Sequence, residues 1–241
     1  MRIIRAKDYE EMSIKAATVI SSQITLFPDS VLGLATGSTM EGTYQILSEW
    51  YEQGWIDYSE LKSVNLDEYV GLSADHSQSY HYYMKKHLFS KINIDKKNTN
   101  LPNGMASDPE AECRHYDEII EGYGRIDLQL LGLGPNGHIG FNEPADEFPS
   151  LTHCVYLTEE TIKANSRFFD DINEVPRNAL TMGIKSIMQA NKVLLCVNGA
   201  HKADALKSVL TGPITPQVPG SILQLHSDLI VVADEEALSK M

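Results

Sequence analysis

The chain has 241 residues, of which 42% are hydrophobic and 22% are charged, and this composition fits one globular α/β domain. Its net charge of −13 argues against a nucleic-acid partner, because such proteins use clustered Lys and Arg to neutralise phosphate. The charged N-terminal segment lacks the apolar core of a secretory signal, and no apolar run is long enough to span a membrane. The three cysteines are widely spaced, so we expect reduced thiols in a soluble, cytoplasmic protein.

Short apolar runs alternate along the chain with segments of helical periodicity. The predicted helices cover residues 8–24, a stretch after residue 39 to about 52, 78–89, 108–121, 158–169 and 201–210. The predicted strands cover residues 31–35, 63–66, 126–131, 154–157, 192–197 and 229–232. This alternation predicts one domain over residues 1–241, with a mainly parallel, doubly wound sheet and helices on both faces, as in Rossmann-like α/β folds.

In open parallel sheets, ligands bind at the carboxyl ends of the strands, and several predicted strands end in polar residues. The first is followed by Thr36-Gly-Ser-Thr39, a turn that enters a helix. Backbone N–H groups, hydroxyls and a helix N-terminus suit a phosphate, although the lysine of a Walker loop is missing. An ordinary strand-to-helix turn with a Ser or Thr cap explains the pattern equally well.

Two further strand ends carry charge. Asp67-Glu68-Tyr69 follows residues 63–66, and neighbouring side chains on an extended segment point in opposite directions, so at most one of the two acids faces a ligand easily. By itself, a solvated turn explains this segment better than catalysis does. Lys202 lies in the first turn of a predicted helix, where acids are usually preferred. An anionic ligand would explain this lysine, and an exposed surface position is the alternative.

The segment from Leu131 to Pro144 has the most distinctive composition. Gly132-Leu-Gly-Pro-Asn-Gly137 matches the dinucleotide pattern G-x-G-x-x-G, but that motif requires a helix to begin at its third glycine. Gly140 and Pro144 oppose a helix here. We therefore predict a kinked loop in which His138 and Glu143 share proton transfer over a ligand.

Other catalytic classes find little support in the sequence. No histidine belongs to a metal-binding motif, no cysteines are spaced as ligands, and we expect no metal site. His81 and His87 are interpreted as residues on a helix surface. No G-x-S-x-G elbow is present, which argues against a serine hydrolase.

Taken together, these segments resemble the glucosamine-6-phosphate deaminase family. The resemblance runs in order over nearly the whole chain, and the pairing of Asp-Glu-Tyr with Gly-His-Ile-Gly-Phe-Asn-Glu-Pro is far more specific than a glycine pattern. The matching segments are residues 34–39, 65–72, 131–144, 161–167, 198–202 and 220–226.

The resemblance implies conversion of glucosamine 6-phosphate and water to fructose 6-phosphate and ammonia in amino-sugar catabolism, with no metal or organic cofactor. It implies that Asp67 takes the C2 proton during enolisation, and that His138 opens the sugar ring with Glu143 in the same proton relay. Family members carry Asp or Asn at the position of Asn136, which is expected here to orient His138. The implied phosphate ligands are Thr36, Gly37, Ser38, Thr39, Arg167 and Lys202.

Two other functions stay open at this point. A 6-phosphogluconolactonase-like hydrolase would use His138 without a base at Asp67, and a non-catalytic sugar-phosphate sensor would need neither. The residues around Asp67 and Glu143 favour the deaminase. Longer family members are hexamers activated by N-acetylglucosamine 6-phosphate through a C-terminal extension, so the end at Met241 predicts a monomer or small homo-oligomer with hyperbolic kinetics. Residues 158–171 are expected to form a mobile lid.

Overall fold

The computed structural model describes residues 1–241 and contains a large and a small β-sheet, whose strands are numbered together in chain order. The large sheet consists of β1 (Arg2–Ala6), β2 (Val31–Leu34), β3 (Lys62–Asn65), β5 (Thr99–Asn100), β6 (Leu128–Leu131), β9 (Lys192–Val197) and β10 (Leu229–Asp234). Its order is β1-β10-β9-β6-β2-β3-β5, and every neighbouring pair is parallel. The predicted single-domain, mainly parallel α/β fold is confirmed.

The small sheet was not predicted from the sequence. It consists of β4 (Asp67–Tyr69), β7 (His153–Tyr156) and β8 (Asn178–Thr181), which pair antiparallel in the order β4-β8-β7. The predicted strand at 154–157 falls within one residue of β7, but four strands, β1, β4, β5 and β8, were not predicted. These strands are too short, or in β1 too rich in arginine, to show a clear apolar pattern.

The chain forms seven α-helices. Their bounds are Tyr9–Leu26 (α1), Ser38–Glu52 (α2), Tyr80–Met84 (α3), Pro109–Gly122 (α4), Glu159–Asn165 (α5), Ile184–Met188 (α6) and Ala203–Thr211 (α7). Asp8, the first residue of the predicted helix 8–24, is the N-cap of α1, since its carboxylate accepts a hydrogen bond from the Glu11 N–H at 2.9 Å. Helix α3 continues into a π-helical turn, Lys85–Phe89, and α5 into a 3₁₀ turn, Ser166–Phe168. Helix α6 was not predicted.

Two hydrophobic cores hold these layers together. The main core includes the centres of β6 and β9, whose apolar residues are fully buried, as expected for parallel strands covered on both faces. The smaller core packs α5 against the small sheet. Its buried members are Tyr69, Phe141, Leu157, Ile162, Val175 and Ala179. The segment predicted as a lid is therefore anchored on the same side of the molecule as β4. None of the helices combines the length and the apolar composition of a membrane span.

The strand order reverses between β2 and β6. From β2 the chain moves outward to β3 and β5, and it then returns to β6 and moves the other way to β9 and β10. At such a switch point, the loops at the carboxyl ends of the two central strands separate and leave a crevice. The 36–39 turn after β2 and the 132–144 loop after β6 border this crevice.

Candidate active site

A cavity of about 690 Å³ opens at the carboxyl ends of β2, β3, β6 and β9. It brings together residues that are far apart in the sequence. Eight of the residues predicted to act in catalysis or phosphate binding line this cavity. They are Asp67, His138, Thr36, Gly37, Ser38, Thr39, Arg167 and Lys202. Asn136 and Glu143 do not line the cavity, but both lie close to Nδ1 of the His138 ring.

Asp67 is buried in β4 instead of lying in a solvated turn. Its side chain is only 6% exposed, and no other group of the chain hydrogen-bonds to its carboxylate. Burial, and secondarily the charge of Glu68, raise the pKa of Asp67 well above its usual range. The 132–144 loop passes directly against it, since a Cβ on Gly140 would lie 3.5 Å from Oδ2 of Asp67. A buried, unpaired carboxylate at a cavity wall is suited to accept a proton from a ligand.

Glu68 faces away from the cavity, as the alternation along a strand requires. It is fully buried, and its carboxylate accepts hydrogen bonds from the N–H groups of Tyr69, Tyr80 and His81 at 2.8 to 3.0 Å. The ring Nδ1 of His81 lies 2.9 Å from the same carboxylate. His81, interpreted as a helix-surface residue, is about one-third exposed on α3 and is also a partner of Glu68. His87, also interpreted that way, stacks on Tyr83 at 4.4 Å and lines the cavity.

Aromatic side chains form one wall of the cavity beside Asp67. The ring of Tyr69 packs against those of Tyr80, Phe141 and Phe169 at centroid distances of 5.0, 5.4 and 6.1 Å. The Tyr69 hydroxyl accepts a hydrogen bond from Asn165 of α5 at 2.8 Å. This wall contributes to the burial of Asp67, and burial raises the pKa of its carboxyl.

The His138 ring lies over a glycine and against an amide. A Cβ on Gly134 would lie 2.3 to 2.4 Å from ring atoms of His138, so only glycine allows this position. Nδ1 of His138 is 2.7 Å from Oδ1 of Asn136, and the Asn136 Nδ2 donates to Glu143 at 2.9 Å. Because the carboxylate requires the NH₂ group on its own side, Oδ1 must face the ring and Nδ1 must carry the proton. Nε2 is then the ring nitrogen that can exchange a proton.

Glu143 connects this relay to the start of α5. Burial raises the pKa of Glu143, but hydrogen bonding to His138, Thr161 and Asn136 and the charge of His138 outweigh it and lower the pKa to about 2. Glu143 is therefore ionised at neutral pH. Its other oxygen lies 3.3 Å from the hydroxyl of Thr158, which caps α5. The relay thus contacts the first residue of the segment that we predict to be a lid, although its mobility stays a prediction.

The 36–39 turn places backbone donors at the cavity. Gly37 has a φ of 103°, a conformation that favours glycine, and α2 begins at Ser38. The N–H groups of residues 36–39 donate to no other group of the chain, so they are free to bind an anion. The Thr39 hydroxyl differs from expectation, because it donates to Oδ1 of Asn198 at 2.8 Å and so joins this turn to the one after β9.

Two cationic side chains lie on the same side of the cavity. Arg167, in the 3₁₀ turn after α5, donates to the Ser38 hydroxyl at 3.3 Å. Lys202 ends a 3₁₀ turn, Ala200–Lys202, ahead of α7 and does not belong to the first helical turn as predicted. Burial, and then the nearby charge of Arg167, lower the pKa of Lys202 to about 8. Neither cation forms a salt bridge within the chain, so together they can bind an anion.

The chain matches one known protein family over most of its length. The family described as glucosamine-6-phosphate isomerases/6-phosphogluconolactonase matches residues 8–231. The chain belongs to this family. Within it, a glucosamine-6-phosphate deaminase from Lachnoclostridium phytofermentans is 61% identical, over 96% of this chain and 98% of the relative.

Solved structures of the family separate into near and distant ones. A monomeric glucosamine-6-phosphate deaminase superposes with a TM-score of 0.98 and 46% identity, over the full length of both chains. The 6-phosphogluconolactonase from Trypanosoma brucei superposes with a TM-score of 0.72, over 100% of this chain and 98% of the other, but is only 19% identical. The second similarity shows the shared fold alone.

Three residues that shape the site, Asn198, Asp234 and Glu68, were given no role from the sequence. Asn198 receives the Thr39 hydroxyl, and Asp234 at the end of β10 accepts the Gly199 N–H at 2.9 and 3.0 Å and so shapes the turn before Lys202. Glu68 was noticed only as the neighbour of Asp67. The sequence offered a signal for Asn198, which stands beside Gly199 at a strand end, but none for Asp234. No cluster of three or more His, Cys, Asp and Glu side chains could hold a metal ion.

Proposed function

We propose that this protein is a glucosamine-6-phosphate deaminase, which converts glucosamine 6-phosphate and water to fructose 6-phosphate and ammonia. One observation carries the proposal: the buried, unpaired carboxylate of Asp67 faces the same cavity as His138 with its relay. Aldose–ketose isomerisation needs a base over a carbon acid and a second group that exchanges protons with the ring oxygens. The identity to deaminases over nearly the whole chain supports the same function.

In this proposal, the phosphate binds to the free N–H groups of the 36–39 turn and to Arg167 and Lys202. The −13 net charge of the chain repels anions, so these few placed donors must supply the affinity. Arg167 can bind two phosphate oxygens at once, whereas Lys202 acts as a compact point charge. A phosphate bound at this end orients C1 and C2 towards Asp67 and His138.

The chemistry then proceeds in the following order. His138, through Nε2, transfers a proton at the ring and anomeric oxygens, and the pyranose opens to the aldehyde form. Asp67 takes the C2 proton, and protonation at C1 leaves the nitrogen on an sp² carbon at C2. Water adds at that carbon and ammonia leaves, which gives the ketone of fructose 6-phosphate. Asn136 and Glu143 orient His138 and stabilise its charged form.

A lactone hydrolase or a sugar-phosphate sensor would require fewer of the residues that this cavity brings together. Hydrolysis of a lactone forms no carbanion at C2 and has no use for a second, desolvated base at Asp67. A sugar-phosphate sensor would need the 36–39 turn and the cations, but neither Asp67 nor the His138 relay.

The decisive assay measures ammonia release from glucosamine 6-phosphate and hydrolysis of 6-phosphogluconolactone by the same preparation. We expect ammonia release at a rate typical of enzymes and no lactone hydrolysis above the spontaneous rate. Lactone hydrolysis without ammonia release would replace the proposal by the hydrolase, and binding of the sugar phosphate without turnover would replace it by the sensor.

We propose a monomer or small homo-oligomer in the cytoplasm, a state supported by the monomeric deaminase that superposes on the full chain. Analytical ultracentrifugation with and without sugar phosphate tests the oligomeric state.

A further inference from the structure

The 36–39 turn is held by tyrosine hydroxyls from the surrounding helices. Tyr44 of α2 donates to the carbonyl oxygen of Ala35 at 2.5 Å, and Tyr83 of α3 donates to that of Gly37 at 2.8 Å. The two rings pack edge to face with centroids 6.4 Å apart. Burial raises the pKa of both phenols above the usual value, so both remain protonated donors.

A third hydroxyl, on Tyr9 of α1, contacts the first turn of α2. It donates to the Ser38 carbonyl at 2.9 Å and accepts from the Gly42 N–H at 2.8 Å. An i to i+4 hydrogen bond of an α-helix would join these two groups, and here the tyrosine hydroxyl lies between them. A Cβ on Gly42 would lie 3.0 Å from the Tyr9 hydroxyl and 2.5 Å from the Ser13 hydroxyl, so glycine allows α1 to approach this closely.

Fixing a carbonyl also fixes the N–H of the next residue. A peptide unit is planar and trans, so its C=O and N–H point in opposite directions. The carbonyls of Ala35, Gly37 and Ser38 therefore set the directions of the N–H groups of residues 36, 38 and 39. These are N–H groups that donate to nothing else in the chain and border the cavity.

We infer that Tyr9, Tyr44 and Tyr83 are positioning residues that preorganise the 36–39 turn to bind the phosphate of the substrate. The inference rests on the proposed function in taking that turn as the phosphate site. Each hydroxyl keeps a carbonyl oxygen pointing away from the phosphate, which this oxygen would otherwise repel. In the same way, each hydroxyl aligns the N–H of the next residue towards the phosphate. Preorganisation of this kind raises affinity because little ordering remains to be done upon binding.

Tyr9 and Tyr83 are the informative positions for substitution. Both are half-buried, whereas Tyr44 is fully buried and its loss would leave the Ala35 carbonyl unpaired inside the protein. Tyr58 offers a matched control. It is buried and its hydroxyl also donates to a carbonyl of α2, but to that of Leu47, at 3.2 Å, in the middle of the helix.

The experiment compares Tyr9→Phe, Tyr83→Phe and Tyr58→Phe in the full chain. The readouts are kcat and KM for ammonia release, the dissociation constant of inorganic phosphate by calorimetry, and the thermal midpoint. Tyr9→Phe and Tyr83→Phe are each expected to raise KM and the phosphate dissociation constant by about three- to tenfold, as loss of one neutral hydrogen bond implies, with kcat changed less than about twofold. Tyr58→Phe should change neither constant.

Three outcomes overturn the inference: unchanged phosphate affinity in both variants, an equal loss in Tyr58→Phe, or a fall in kcat without a change in affinity. Phosphate binding is measured separately from turnover. If the wild-type chain released no ammonia but bound phosphate, and the two variants bound it more weakly, the proposed function would fail while the role of the tyrosines would stand.

Discussion

Nδ1 of His138 and the nearer carboxylate oxygen of Glu143 are 3.4 Å apart, and the Asn136 amide contacts both groups. Asn136 thus couples the ring to the carboxylate by one accepted and one donated hydrogen bond. Because an amide cannot lose its proton at neutral pH, its part in the relay is orientation and not proton transfer.

Asn136→Ala removes both hydrogen bonds at once. We expect kcat to fall by about tenfold or more, because His138 loses the acceptor that selects its tautomer, while KM changes less than about threefold. Steady-state ammonia release measures both constants, and circular dichroism reports on the fold. A variant with wild-type kcat would show that Asn136 has no orienting role.

Asp67→Asn removes the proposed base and keeps the shape of the side chain. We expect kcat to fall by at least about a hundredfold, the usual size of a general-base effect, with the fold intact. Near-normal ammonia release by this variant would exclude Asp67 as the base. In the wild type, the raised pKa of Asp67 predicts that kcat/KM decreases on the acid side at a higher pH than an ordinary aspartate would give.

Gly134→Ala tests the position of the His138 ring. The added Cβ would lie 2.3 to 2.4 Å from ring atoms, so the ring must leave its present position, and we expect kcat to fall at least about tenfold. Gly132→Ala is the matched control at the same strand end, since its Cβ would meet only the terminal methyl of Met40 at 3.4 Å. Equal activities of the two variants would contradict the assigned position of the ring.

The Lys202 ammonium predicts a pH-dependent affinity for the phosphate. Its pKa of about 8 means that the charge is present below that value and lost above it. The inhibition constant of fructose 6-phosphate, which has no amine of its own to titrate, should therefore rise by roughly tenfold between about pH 8 and 9.5. In Lys202→Arg the guanidinium stays charged, so the constant should remain flat. The same rise in the arginine variant would assign the effect to another group.

Local patterns in the sequence predicted the alternation of strands and helices. The Asp8 cap, the apolar runs of β6 and β9, and the glycine-rich turns all act over a few residues, so they can be read without knowing what they contact. The same locality explains the errors. β4 and β8 have only three and four residues and are stabilised by pairing with each other, and the sequence contains no sign of that pairing.

The sequence by itself determined the parallel α/β fold and the residues whose chemistry suits a sugar phosphate, because periodicity and side-chain type are properties of short segments. Only the tertiary structure decided which of those residues are free to act. It directs the Thr39 hydroxyl to Asn198, 159 residues away, turns Glu68 towards His81, and leaves Asp67 buried and unpaired at the cavity. These assignments depend on the order of the strands in the sheet, which brings distant segments to one edge and removes water from between them.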